Sequence, residues 1–190
     1  GFDATGFGLL PDDAAVLTRL QVELEQTVQR YQERFDGNNA GLVMFTSGSS
    51  GTPKAAFLTW NSLMGSAAGA NEVLRYEEHW VWQMVLPLCH VGGFQILVRT
   101  LLSGNTFIVY EPQRILNDVL SFRVTHISVV DKILADLLEH DRDRVITKYD
   151  CILLGGAELN DKTIRKALKA KAKVFASYGM TETASLIAAA

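Results

Sequence analysis

The sequence predicts an α/β fold with a largely parallel sheet flanked by helices. Three observations carry that expectation. Short apolar runs alternate with helical stretches along most of the chain, the pattern of strand–helix–strand crossovers. The runs are β-branched and apolar almost throughout, as strands are when helices cover both faces of a sheet. The irregular, glycine-bearing segments fall directly after strands, where ligands bind in such sheets.

The elements follow in order. Between Asp12 and Phe35, Val16, Leu20, Leu24, Val28, Tyr31 and Phe35 recur at spacings of three or four. That spacing is a helix with one packed face, started by "PDD" and stopped at "GNN". Gly41–Phe45 reads as a strand, followed by a polar turn and a helix from about Asn61 to Val73. Val81–Leu86 is the next strand, then a helical region to Leu102 and the strand "TFIVY". A short helix near Leu116–Phe122, the strand "HISVV" and a helix over Asp131–Glu139 come next. "CILL", a helix over Asn160–Lys169, the strand "KVFAS" and a final turn at "YGMTET" complete the chain. The irregular segments Thr46–Lys54, Gly155–Glu158 and Tyr178–Glu182 are expected to share one cleft. Residues 1–40 form an N-terminal helical segment of the same domain, and residues 41–190 form its core.

Composition narrows the function. With 48% hydrophobic residues in 190, the chain is globular and long enough to bury a core. The net charge is −3, and no basic block or stripe stands out, which argues against nucleic acid as a partner. No apolar run approaches the roughly 18 residues that span a bilayer. Cys89 and Cys151 lie far apart within apolar runs, so both are expected to be buried reduced thiols of a cytoplasmic protein. Neither the cysteines nor the four histidines have zinc-site spacing.

The turn "TSGSSGTPK", Thr46 to Lys54, is built for phosphate. Gly48 and Gly51 free the backbone so that several N–H groups can converge on an anion. Ser47, Ser49, Ser50 and Thr52 add hydroxyl donors, Pro53 stiffens the exit, and Lys54 brings a compact positive charge. It is not a Walker A loop, because Lys54 follows proline and precedes alanine.

The same nine residues resemble the phosphate loop of the adenylate-forming superfamily of acyl-CoA synthetases, peptide-synthetase adenylation domains and luciferases. "YGMTET" (Tyr178–Thr183) resembles that family's adenylate motif, and "LLGGAEL" (Leu153–Leu159) its Gly-Gly-Ala segment. The resemblance runs from about Gly41 to the end. It implies attack of a small carboxylic acid on Mg²⁺·ATP to give an acyl-adenylate and pyrophosphate, then displacement of AMP by coenzyme A. It implies that Thr46, Ser47, Gly48, Ser49, Ser50, Gly51, Thr52 and Lys54 hold the β- and γ-phosphates. Thr181 would bond the α-phosphate and Glu182 would reach Mg²⁺. Gly155, Gly156, Ala157 and Tyr178, continuing into Gly179 and Met180, would flank the nucleotide. Taken singly, Tyr178 reads as core, Glu182 as surface and the glycine pair as a turn. "LPLCHVGG" resembles the segment that faces the acyl channel, which makes His90 a candidate pocket residue and catalytic group. His79, His126 and His140 read as structural or surface residues.

Ser50, Ala55 and Trp60 depart from the family's commoner threonine, glycine and histidine. The family's ribose-binding aspartate, hinge and C-terminal lid domain are not in this stretch. The 190 residues therefore read as the central piece of a larger enzyme, without complete turnover alone. The segments "LPLCHVGGFQILVRTLLSG" and "THISVVDKILADLL" resemble the o-succinylbenzoate–CoA ligases of menaquinone synthesis, with Arg99 a candidate partner for an acidic substrate. Other aryl or fatty acid–CoA ligases, a carrier-protein transferase and a non-catalytic nucleotide-binding scaffold remain open at this level.

Overall fold

The computed structural model describes residues 36–46, 54–74, 79–109, 114–157 and 159–190, together with Val22, Glu25, Gln26 and Gln29. Two compact units result, Gly1–Asp36 and Gly37–Ala190. In the first, Val22, Glu25, Gln26 and Gln29 are helical and exposed, and none belongs to the predicted apolar stripe, which lies outside the described residues.

The second unit opens with a hairpin, β1 (Ala40–Thr46) and β2 (Lys54–Thr59). The two strands pair antiparallel in a sheet of their own. The strand predicted at Gly41–Phe45 therefore exists but is not part of the parallel sheet, and its partner β2 was not foreseen. Helix α1 (Trp60–Val73) follows at once, capped by the Thr59 hydroxyl, which accepts from Ser62 N–H at 3.1 Å.

The main sheet holds β3 (Val81–Met84), β4 (Thr106–Val109), β5 (His126–Val129), β6 (Cys151–Leu154), β7 (Val174–Met180) and β8 (Ser185–Ala189). Its order is β4-β3-β5-β6-β7-β8, parallel except where β8 turns back antiparallel on β7. The helices between them are α2 (Val91–Ser103), α3 (Ile115–Ser121), α4 (Asp131–His140) and α5 (Asp161–Ala170). Gly104, at φ 67°, stops α2 in the left-handed conformation that glycine adopts without cost.

Alternate strand residues divide between the two faces. Ile127, Val129, Ile152 and Leu154 pack with Val119 of α3, Leu134 and Leu137 of α4 and Ala167 of α5. Trp82, Met84, Cys151 and Leu153 pack on the other face with Ile96 of α2. Full burial of side chains such as Leu134 and Ile152 contributes roughly 2 kcal/mol each. Cys151 is buried as expected, and burial pushes its thiol up to about 12. Cys89 is exposed, against expectation, because strand β3 ends at Met84 and Cys89 lies in the turn leading into α2, although the apolar run continues to it. Among the described residues no helix is long and apolar enough to cross a membrane.

His126 is locked into the second face. Its ring lies 4.0 Å from that of Trp80 and 5.0 Å from that of Trp82, and its Nδ1 is 2.8 Å from Thr125 Oγ1. Burial lowers its pKa from 6.5 to about 4, with the Asp150 charge offsetting only part of that. The unfolded chain therefore takes up a proton that the fold refuses. Stability is intact above pH 6.5 and falls as pH drops from there to about 4, by roughly 3 kcal/mol in all. Unfolding midpoints measured across this window should flatten by one proton's slope in His126→Phe. An unchanged slope would show that the ring titrates alike in both states.

Candidate functional site

A cavity of about 360 Å³ opens at the carboxyl ends of the parallel strands. After β3 come Leu86, Pro87 and His90; β5 supplies Ser128 and Val129, with Val130 following. β6 supplies Leu153 and then Gly155 and Gly156, and β7 supplies Ser177 through Met180, with Thr181 next. Two of the three predicted segments thus meet in one cleft, joined by His90.

The glycines are needed by the geometry. Gly156 sits at φ 86°, a conformation L side chains rarely adopt. A Cβ on Gly155 would run into Ser177 Oγ, which instead donates to Leu154 O at 2.9 Å and ties β7 to β6 beside the cleft.

The segment Tyr178–Thr183 is not a turn throughout. Tyr178, Gly179 and Met180 continue β7, and Thr181–Thr183 form a single 3-10 turn leading into β8. The Thr183 hydroxyl accepts from Met180 N–H at 3.3 Å and lies 3.0 Å from Met180 O, closing the turn on itself. Ala184 and Ser185 follow at φ 55° and 98°, costly for non-glycine residues. Ser66 of α1 holds that backbone by donating to Ala184 O at 2.8 Å, and Ala184 is buried against Leu58 and Leu63. Helix α1 and strand β2 thus fix the position of Thr181.

Strand β2 runs beside the Thr181–Thr183 turn, which brings the hairpin to the cleft. Thr46 and Lys54 pair at the base of the hairpin loop, with Thr46 Oγ1 3.4 Å from Lys54 O, and Lys54 is exposed. Neither lines the cavity. Ser47, Gly48, Ser49, Ser50, Gly51, Thr52 and Pro53 lie outside the described residues. Glu182 and Ala157 are exposed and do not line it either. His90 is exposed and precedes the first turn of α2, its carbonyl accepting from Gly93 and Phe94 N–H.

The interior wall of the cleft is polar in two places. Ser128 is 4% exposed, and its hydroxyl has no hydrogen-bond partner among the described residues. Arg99 is 2% exposed, with its guanidinium carbon 5.9 Å from the Trp82 ring centre and its Nε unpartnered. No carboxylate among the described residues pairs with it. Burial lowers its pKa to about 10, with the neighbouring Cys151 acting the other way, so it stays cationic near neutrality. Ser128 was missed in the sequence; a hydroxyl inside the otherwise apolar run "HISVV" was the available signal.

The model of the AMP-binding enzyme family matches residues 8–190. The chain belongs to this family of AMP-binding enzymes. Among curated members it is 33% identical to the 2-succinylbenzoate–CoA ligase of Staphylococcus epidermidis over 155 residues, covering 80% of this chain and 32% of that protein. The Bacillus cytotoxicus 2-succinylbenzoate–CoA ligase is 33% identical over 183 residues, covering 93% and 38%. The chain therefore spans little more than a third of these AMP-binding relatives at most. Among solved structures, the o-succinylbenzoate coenzyme A synthetase of Bacillus subtilis in complex with ATP and magnesium ion superposes with a TM-score of 0.76 at 32% identity, over 82% of this chain and 33% of that one. The same enzyme with its acyl-adenylate intermediate gives 0.75 at 32% identity, over 81% and 41%.

Proposed function

We propose that this chain is part of an ATP-dependent acid–CoA ligase, which adenylates a carboxylic acid and passes the acyl group to coenzyme A. The acid is an aryl acid with a second carboxylate, of the o-succinylbenzoate type. One observation carries the reading: a cleft at the carboxyl ends of the strands joins the glycine pair and Thr181 to a buried cation, Arg99, that no carboxylate among the described residues pairs. The similarity to 2-succinylbenzoate–CoA ligases supports the same substrate class.

In this reading residues 41–190 are the nucleotide-binding core. Gly155, Gly156, Ala157, Tyr178, Gly179 and Met180 flank the nucleotide, and Thr181 donates to its α-phosphate. The loop from Thr46 to Lys54 holds the β- and γ-phosphates, with Lys54 as counter-charge. His90 borders the acyl channel, and Arg99 with Ser128 receives the second carboxylate. An acid carboxylate held in line with the α-phosphorus reacts mainly through positioning and charge stabilisation.

The residues present fit magnesium. No group of three or more His, Cys, Asp or Glu among the described residues could hold a metal by itself. Mg²⁺ is commonly held by one or two carboxylates plus substrate phosphates, and Glu182 beside Thr181 supplies one such carboxylate. When bound, the ion neutralises phosphate charge. ATP and coenzyme A are cytoplasmic metabolites, so the proposed reaction runs there.

The test is ATP–pyrophosphate exchange by the complete protein across a panel of acids that includes o-succinylbenzoate. Exchange is expected with that acid, falling about a hundred-fold or more in Thr181→Ala and Glu182→Ala. Protein that binds ATP but exchanges with no acid would point to a nucleotide-binding scaffold instead.

A further inference from the structure

Against the expectation that no basic block stands out, one lies at residues 161–173, on helix α5 and the turn that follows it. Residues 161–173 carry six cations against one carboxylate, a net +5, in a chain whose total is −3; everything else nets −8. Lys173 is spent in an ion pair with Asp150 at 2.7 Å. Of the rest, Lys162, Arg165, Lys166 and Lys169 stand at i, i+3, i+4 and i+7, so they form one exposed row about 10 Å long. The opposite side of the helix buries Thr163 and Ala167. None of the four has an ion-pair partner among the described residues. Neighbouring α4 exposes Lys132 against Asp136 and Glu139, a net −1 that offsets the row of four cations only in part.

Such a row works against its own helix. Like charges three and four apart repel, and Lys162 sits in the first turn, at the positive end of the helix dipole, although Lys169 in the last turn suits it. Among the described residues, Asp161 in the first turn offsets only part of a net charge of +5, so an external anion is the natural complement.

We propose that α5 is a docking surface for an anionic lipid membrane. Three of the four cations are lysines, compact point charges without the fork that pairs carboxylates two by two, which suits a diffuse anionic surface better than one acidic protein. Leu168, 64% exposed beside the row, gives it an apolar residue for the headgroup–acyl boundary. The surface is separate from the cleft and does not depend on the ligase reading.

The test is co-sedimentation of the complete protein with vesicles of phosphatidylcholine alone or mixed with phosphatidylglycerol. Binding is expected only with phosphatidylglycerol and should weaken as salt rises. The quadruple variant Lys162→Gln, Arg165→Gln, Lys166→Gln, Lys169→Gln should lose about a hundred-fold in vesicle partitioning while its thermal midpoint holds or rises. That midpoint distinguishes lost docking from lost folding. Absence of binding to the anionic vesicles overturns the proposal, as does binding that survives in the quadruple variant. Retention on soluble polyglutamate without vesicle binding also overturns it and makes the row a site for an acidic protein.

Discussion

Gly179→Ala is expected to destabilise the protein by about 3 kcal/mol, although it adds a single methyl group to an exposed position of β7. The added Cβ would run into the carbonyl of Ser185 on β8, with Leu186 Cα only 3.1 Å away. These are backbone atoms of the antiparallel partner, so no rotamer change relieves the clash. The ladder already shifts register between Tyr178 and Gly179, which leaves no slack there. Either β8 moves away or the 3-10 turn carrying Thr181 tilts, and both disturb the cleft. Gly69→Ala is the matched control: a Cβ there meets nothing within 4 Å, and alanine should stabilise α1 by about 0.5–1 kcal/mol. Urea unfolding of the two variants decides the matter. Equal stability of Gly179→Ala and the parent would mean that β8 yields freely.

The sheet was legible where burial left one pattern open. "CILL" and "HISVV" are buried at every strand position, and their shortness and Ile/Val content favoured an interior strand over a helix. Strand β2 was not legible. Its burial alternates, with Ala56 and Leu58 inside, yet Phe57 is 70% exposed, so apolar residues on both faces hide the period. The same holds at Phe45, 74% exposed on the facing strand, and so the hairpin could not be distinguished from a strand of the main sheet. "YGMTET" reads locally as a turn because its strand character comes from pairing with β8, a partner further along the chain that only a glycine lets approach. Cys89 follows the same logic in reverse: its neighbours are apolar, but the chain turns there. Of the candidate site, the glycine pair, Tyr178, Thr181 and His90 were legible through their motifs. The polar interior was less so, because Ser128 and Arg99 belong to runs whose other members are core.

Arg99→Met should move stability and substrate use in opposite directions. The native guanidinium is buried against Trp82 and Cys151 with no carboxylate partner among the described residues, so the face of the Trp82 ring offsets only part of its desolvation. Methionine fills similar volume without charge, and the thermal midpoint should rise by the equivalent of about 1–2 kcal/mol. If the cation is there to receive the second carboxylate of the acid, the same change leaves that carboxylate facing an apolar wall. The KM for o-succinylbenzoate in ATP–pyrophosphate exchange should then rise about a hundred-fold or more, while the KM for ATP stays put. Arg99→Lys keeps the charge but not the fork, and should fall between the two. A residue that merely braced the sheet would lose stability and affinity together. Opposite signs in the one variant separate a binding group from a structural one, because a buried cation whose desolvation is only partly offset is not kept for the fold's own stability.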